Sequence, residues 1–166
     1  KENARQIAEA LSQDTGKFVA ATAGPNFESL IAAMGSGAAA RSKDYRKTIL
    51  SCDVGGGTSN IAVIKNGQTL STSCISVGGR LLGIGSTGKI WRIDPPARLA
   101  MQYLGLNHKI GDRISKADIK RIAATFGKVL FEVITGPAKS RLARQLLLTD
   151  NLTFPDRIDE YSFSGG

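Results

Sequence analysis

Apolar and polar positions along the first third of the chain alternate at two different spacings. Ala4, Ile7, Ala8 and Leu11 fall three and four residues apart, which predicts an amphipathic helix over residues 2 to 14. Asp14-Thr15-Gly16 closes it, and the run Phe18-Val19-Ala20-Ala21-Thr22 predicts a short buried strand. Gly24-Pro25-Asn26 punctuates the chain, after which Phe27, Leu30, Ile31 and Met34 form the apolar stripe of a second helix. That helix runs into Gly35-Ser36-Gly37-Ala38-Ala39-Ala40, a small-residue surface that another backbone can approach closely. The pattern then becomes strand-like. Thr48 to Asp53 and Ser59 to Ile64 predict two strands joined by a sharp turn at Gly55-Gly56-Gly57. Asn66-Gly67 is a two-residue hairpin signal, and Gln68 to Val77 completes an antiparallel three-stranded meander that closes at Gly78-Gly79.

The second half reads differently. Gly83 to Gly88 predicts a loop and Ile90 to Ile93 a short strand. Pro95 and Pro96 suit the first turn of a helix over Ala97 to Leu104, with Asp94 placed to take its free N–H groups. Ser115 with Asp118 resembles a capping box and starts a helical pattern that runs to Ile134, broken or bent near Gly127, before Gly136-Pro137 ends it. A further helix over Ser140 to Leu148 and a last strand over Ile158 to Phe163 follow. The expected fold class is α/β: a mixed sheet containing the meander, formed by residues 1–80 and 149–166, with a mainly helical inserted sub-domain over 81–148.

Length and composition narrow the classes. At 166 residues, with 42% hydrophobic and 22% charged residues, the chain fits one domain or two small lobes of one. Such a chain buries about 70% of its unfolded surface and needs no disulfide or metal to hold a core. Cys52 and Cys74, the two cysteines, cannot make a disulfide framework and are expected as buried free thiols in a reducing cytoplasm. No apolar run approaches the ~20 residues of a membrane helix, so no membrane partner is expected. The net charge of +8 is concentrated: Arg80 to Arg144 holds 13 Lys/Arg against 4 Asp/Glu. These cations are scattered over several predicted helices instead of lining one aromatic-interleaved face. A solvated surface or an acidic protein partner therefore fits them at least as well as nucleic acid does, and nucleic acid is not expected as a partner. The chain opens on a lysine and closes on Ser162-Phe163-Ser164-Gly165-Gly166, a strand running into a glycine turn, which reads as a piece of a longer protein.

The strongest chemical candidate is Asp53-Val54-Gly55-Gly56-Gly57-Thr58-Ser59. Glycines let backbone N–H groups face an anion with no Cβ in the way, Thr58 and Ser59 add hydroxyls, and Asp53 can hold a magnesium ion through its waters. A plain hairpin needs only two turn residues, so three glycines between an aspartate and a threonine exceed what geometry demands. Gly83-Ile84-Gly85-Ser86-Thr87-Gly88-Lys89-Ile90 satisfies the dinucleotide fingerprint and nearly a P-loop, but Ile90 stands where the P-loop needs Ser/Thr and a strand follows where both need a helix. His108, the single histidine, sits between Asn107 and Lys109 in a polar loop and reads as a surface residue.

The Asp53 to Thr58 stretch, between two strands, resembles the second phosphate motif of the superfamily of actin, sugar kinases and heat-shock chaperone ATPases. Gly35 to Ala40 stands where that fold has its connecting helix, Gly78-Gly79 at its glycine turn, and Tyr161 to Gly166 resembles the adenosine motif, which implies a nucleotide contact for Gly165 and Gly166. The resemblance implies an actin-like ATPase (ribonuclease H-like) second lobe and ATP or ADP with magnesium as cofactor. More narrowly, Ala21 to Ser29, Gly35 to Ala39 and Val77 to Leu81 are similar to the EutA family, reactivating factors of ethanolamine ammonia-lyase. Membership implies a cytoplasmic, chaperone-like ATP-binding protein that releases damaged cobalamin from that lyase. Asn60 and Gly35 stand at or near positions where heat-shock ATPases carry acidic residues, which implies slow hydrolysis, and the first phosphate motif is missing, which implies weak or no nucleotide binding and hydrolysis by this stretch alone. A small-molecule kinase or other ATPase of the superfamily, and a non-enzymatic module that has lost nucleotide, remain the alternative readings.

Overall fold

The computed structural model describes residues 24–155 and 157–166. The helix expected over 2–14 and the strand over 18–22 lie outside the described residues. The first described helix, α1 (Pro25–Gly35), starts with proline in its first turn, where a missing N–H costs nothing. It packs through Ser29 and Ala33, both 1% exposed, while Phe27, Ile31 and Met34 are 43%, 52% and 64% exposed. Three of the four residues of the apolar stripe are thus turned outward, and Leu30 is half-buried. The small face wins because α1 lies close on the sheet: the Ser29 hydroxyl donates to the Ser73 carbonyl at 3.0 Å, leaving no room for a long side chain. Gly37, at φ 78°, breaks the chain into α2 (Ala38–Asp44).

Strands β1 (Thr48–Val54), β2 (Ser59–Lys65) and β3 (Gln68–Ile75) form the expected meander. Asn66 and Gly67 both take left-handed φ, 52° and 78°, as a type I′ hairpin turn requires. A separate hairpin pairs β4 (Leu82–Ile84) with β5 (Ile90–Ile93), so Gly83 and Ile84 are strand where a loop was expected. Helices α3 (Pro95–Tyr103), α4 (Lys116–Thr135) and α5 (Arg141–Leu146) follow, and β6 (Glu160–Gly165) returns to the sheet. The sheet order is β3-β2-β1-β6, with β6 parallel to β1 and the other pairs antiparallel.

Alternation along β1 sends Leu50 and Cys52 to one face, where Ile61, Val63 and Ile75 join Val133, Leu142 and Leu146 of the helices. Ile49 points the other way, onto Ala62, Ile64, Ala33 and Ala38. A third core, built on Ile90, Met101, Ile114 and Ile122, ties the β4–β5 hairpin to α3 and the start of α4. Helix α4 therefore serves two cores along one length, and it runs unbroken through Gly127, where a break or bend was expected. Ile122, Phe126, Val129 and Val133 continue the apolar stripe across that glycine, and packing along the stripe outweighs a propensity cost of about 1 kcal/mol.

The helix starts show which capping signals hold. Ser115 accepts the Asp118 N–H at 3.0 Å, as the sequence predicts. Asp94 does not cap α3: Arg92 holds both its oxygens at 2.8 Å. Two prolines in the first turn leave Ala97 N–H as the one amide Asp94 could cap, and the carboxylate turns to Arg92 instead. Glu132 spans the Gly136-Pro137 stop instead, accepting the N–H groups of Lys139 and Ser140. Partial burial works to raise its pKa, but these backbone hydrogen bonds outweigh it and hold the carboxyl below its ordinary 4.5. The contribution is present above about pH 4.5 and lost as the pH falls through the lower folded-state value. Glu132→Gln is therefore expected to lower the melting temperature near pH 7, with the gap to wild type closing in acid, as thermal unfolding across pH 3 to 7 would show.

Candidate functional site

Because β6 runs parallel to β1, the two strands end side by side: Asp53 pairs with Ser164 and Val54 with Gly165. Each then turns away on glycine. Gly165 sits at φ 109°, and a Cβ there would fall 2.1 Å from the Val54 carbonyl oxygen, so only glycine permits this approach. A Cβ on Gly78 would fall 2.6 Å from the Gly56 backbone, so the second glycine turn also closes directly on the first. Gly79 N–H donates to the Gly55 carbonyl at 2.9 Å, and Arg80 N–H donates to that of Gly56 at 2.8 Å.

These constraints leave an open cleft of about 360 Å³ at the strand ends, lined by Gly55, Gly56, Gly165 and Gly166 together with Ser164 and Arg80. Four of the sequence-predicted residues are thus brought together. The others are placed differently. Gly57 and Thr58 continue the bend outside the lining of the cleft. Ser59 is fully buried, and its hydroxyl donates to the Val77 carbonyl at 2.7 Å, so its side chain serves the fold. Asp53 is half-buried and also lies outside the lining. Its Oδ1 accepts the Ser164 hydroxyl at 2.7 Å, which fixes the carboxylate one residue before the bend.

The polar groups offered to a ligand can be counted one by one. Gly55 N–H already donates to the Thr58 carbonyl at 2.9 Å, which shapes the bend. The N–H groups of Gly56 and Gly57 have no protein acceptor among the described residues. Arg80 is exposed and forms no ion pair among the described residues, and its side chain runs beside Gly56, 3.6 Å from where a Cβ would stand. The Gly56 amide on the lining, with the Gly57 amide just beyond it, and one guanidinium beside bare backbone suit an anion with several oxygens. Among the described residues no three His, Cys, Asp or Glu side chains stand close enough together to hold a metal. Asp53 is the carboxylate next to the bend among the described residues, and a single carboxylate suits magnesium because that ion keeps most of its waters. Cys52, beside Asp53 in β1, is chemically quiet: burial first, and the Asp53 charge second, push its thiol up to about 12.

Arg80 and Ser164 were not among the site residues expected from sequence. Their signal was present in adjacency, since each stands beside a glycine pair, in which close backbone demands Gly78 in one and Gly165 in the other. His108 is half-buried, with Nε2 3.2 Å from Asp118 Oδ2, and so belongs to the start of α4 and not to the cleft.

A mixed four-stranded sheet with helices, and a glycine-lined cleft at the ends of its parallel strands, makes the molecule an α/β protein. The chain belongs to the EutA family, described as ethanolamine utilisation protein EutA, which matches residues 1–166. It is 36% identical over 164 residues to the ethanolamine ammonia-lyase reactivase EutA of Salmonella typhimurium strain LT2. It is 34% identical over 164 residues to the protein of that name from Escherichia coli K12. Each comparison covers 99% of this chain and 35% of the relative, so the chain spans about a third of the length of these curated relatives. No helix among the described residues is long and apolar enough to cross a membrane.

Proposed function

We propose that this chain is the nucleotide-gripping part of a reactivating factor for ethanolamine ammonia-lyase, a cytoplasmic, chaperone-like protein that binds ATP or ADP with magnesium. In this reading residues 1–80 and 149–166 belong to the second lobe of an actin-like ATPase, with 81–148 inserted as its outer part. The observation that carries it is the cleft itself. Gly165 meets Val54, Gly78 meets Gly56, and the backbone left bare between them leaves the Gly56 and Gly57 amides without a protein acceptor among the described residues.

The chain's own groups divide the work. The Gly56 and Gly57 amides hold phosphate oxygens, Arg80 adds a charge-assisted contact, and Gly165-Gly166 gives the ribose and base a flat wall. Asp53, held by the Ser164 hydroxyl, would hold a magnesium ion through its waters, and that ion would supply neutralisation of phosphate charge. One carboxylate is a meagre set for activating water, which suits a nucleotide that acts as a conformational switch. In the longer protein, nucleotide would favour one angle between lobes, and the surface so created would act on the lyase to release damaged cobalamin.

Two measurements on the full-length protein test this. Calorimetric titration with ATP and magnesium should give a heat of binding, and no heat overturns the nucleotide reading. Lyase inactivated by cyanocobalamin should regain activity with the protein and ATP, whereas a diol dehydratase control should not. Arg80→Ala is expected to weaken ATP about tenfold, the order of one charge-assisted hydrogen bond, with an unchanged melting temperature.

A further inference from the structure

We infer that the outer face of α3 is a docking groove for an acidic segment of a partner protein. Two cavities, of about 350 and 220 Å³, adjoin at Gln102 on that face. The first is bordered by Arg98, His108 and Lys109, the second by Arg141 and by Tyr103, which is 63% exposed. Met101 and Leu106 floor one, and Leu99 and Leu142 the other.

Charge accounting selects the occupant. Residues 80 to 144 hold 13 Lys/Arg against 4 Asp/Glu, and every one of those four carboxylates is engaged locally. Asp94 is held by Arg92, Asp112 accepts the Lys109 N–H, Asp118 closes the start of α4, and Glu132 caps the turn after it. Among the described residues only Arg92 and Arg121 of the thirteen form ion pairs. Arg98, Lys109 and Arg141 are exposed and form none among the described residues. The groove thus presents unneutralised cations and an exposed tyrosine over an apolar floor. That combination complements a segment carrying both carboxylates and apolar side chains, with Tyr103 and the arginines as its anchors. Nucleic acid is disfavoured because the floor is aliphatic and offers no stacking platform beyond the one tyrosine.

The test uses the full-length protein with two probes, ethanolamine ammonia-lyase and a synthetic amphipathic peptide of glutamate and leucine. The lyase arm rests on the function proposed above, and the peptide arm does not. Arg98→Glu with Lys109→Glu and Arg141→Glu should weaken lyase and peptide binding tenfold or more. Lys116→Glu with Lys120→Glu and Lys128→Glu, an equal charge change on α4, should not. Changing the three groove cations to glutamine instead supplies a milder variant should the reversal fail to fold. If wild type binds lyase and the groove variants bind it equally well, the groove is overturned and the lyase reading stands. If wild type does not bind lyase, that reading falls, and loss of peptide binding in the groove variants still supports the groove. Absence of peptide binding to wild type, or displacement of the peptide by oligouridylate with tighter binding of the nucleic acid, overturns it.

Discussion

Gly165→Ala is expected to destabilise the protein by about 2–4 kcal/mol and to abolish nucleotide binding in the full-length form. The added Cβ would stand 2.1 Å from the Val54 oxygen and 2.7 Å from the carbonyl carbon, and at φ 109° no rotamer can relieve it. The end of β6 must then swing away from β1, which moves Gly166 and Ser164 off the cleft and frees Asp53 from its hydroxyl partner. Gly88→Ala separates the two causes. That residue also has left-handed backbone, φ 77°, but nothing lies within 4 Å of its Cβ position. It should cost only about 1 kcal/mol and leave nucleotide binding intact. Thermal unfolding and calorimetric titration of both variants check this, and a Gly165→Ala protein that melts with wild type would refute the close approach.

Leu50→Ala is expected to cost about 3–5 kcal/mol, among the largest losses any single side chain in the sheet could cause. Leu50 is 0% exposed on the central strand β1, flanked by β2 on one side and β6 on the other. Its neighbours are fixed by strand pairing, so the cavity cannot collapse, and the measured loss should approach the upper value. Urea unfolding should show a lower midpoint with an unchanged slope, because the denatured state is little affected. A loss under 1 kcal/mol would mean that the helices above the sheet shift to fill the space.

Much of the architecture was legible because local chemistry and final packing agree. The meander follows from alternation and from Asn66-Gly67, whose left-handed turn the sequence specifies almost by itself. The start of α4 follows from Ser115 and Asp118. Where the readings failed, a neighbour unseen in sequence decided. The Phe27, Ile31, Met34 stripe looks like a core face, yet the close approach of the sheet selects Ser29 and Ala33. Gly127 looks like a break, yet apolar residues on both sides of it belong to cores that one continuous helix serves. Asp94 looks like a cap, but its prolines leave one capping donor, Ala97 N–H, and Arg92 takes the carboxylate.

The cleft was legible as composition and not as geometry. Three glycines after Asp53 and two at 165–166 pointed to bare backbone, but their meeting depends on the parallel pairing of β1 with β6. Arg80 and Ser164 enter only through that pairing and through the closure of Gly78 on Gly56. Ser59 left the site for the same reason: the Val77 carbonyl, distant in sequence, claims its hydroxyl.

The separation of 111 positions between Asp53 and Ser164 also carries a consequence for how the protein comes into being. While it is being synthesised, β1 sits at an open sheet border through the making of the hairpin and all three later helices. A chain stalled or clipped before residue 160 would display that border, with its unpaired N–H and C=O groups, to any other strand nearby. Such products should self-associate during expression, and the glycine-lined cleft should form only once translation has passed Gly165 and Gly166.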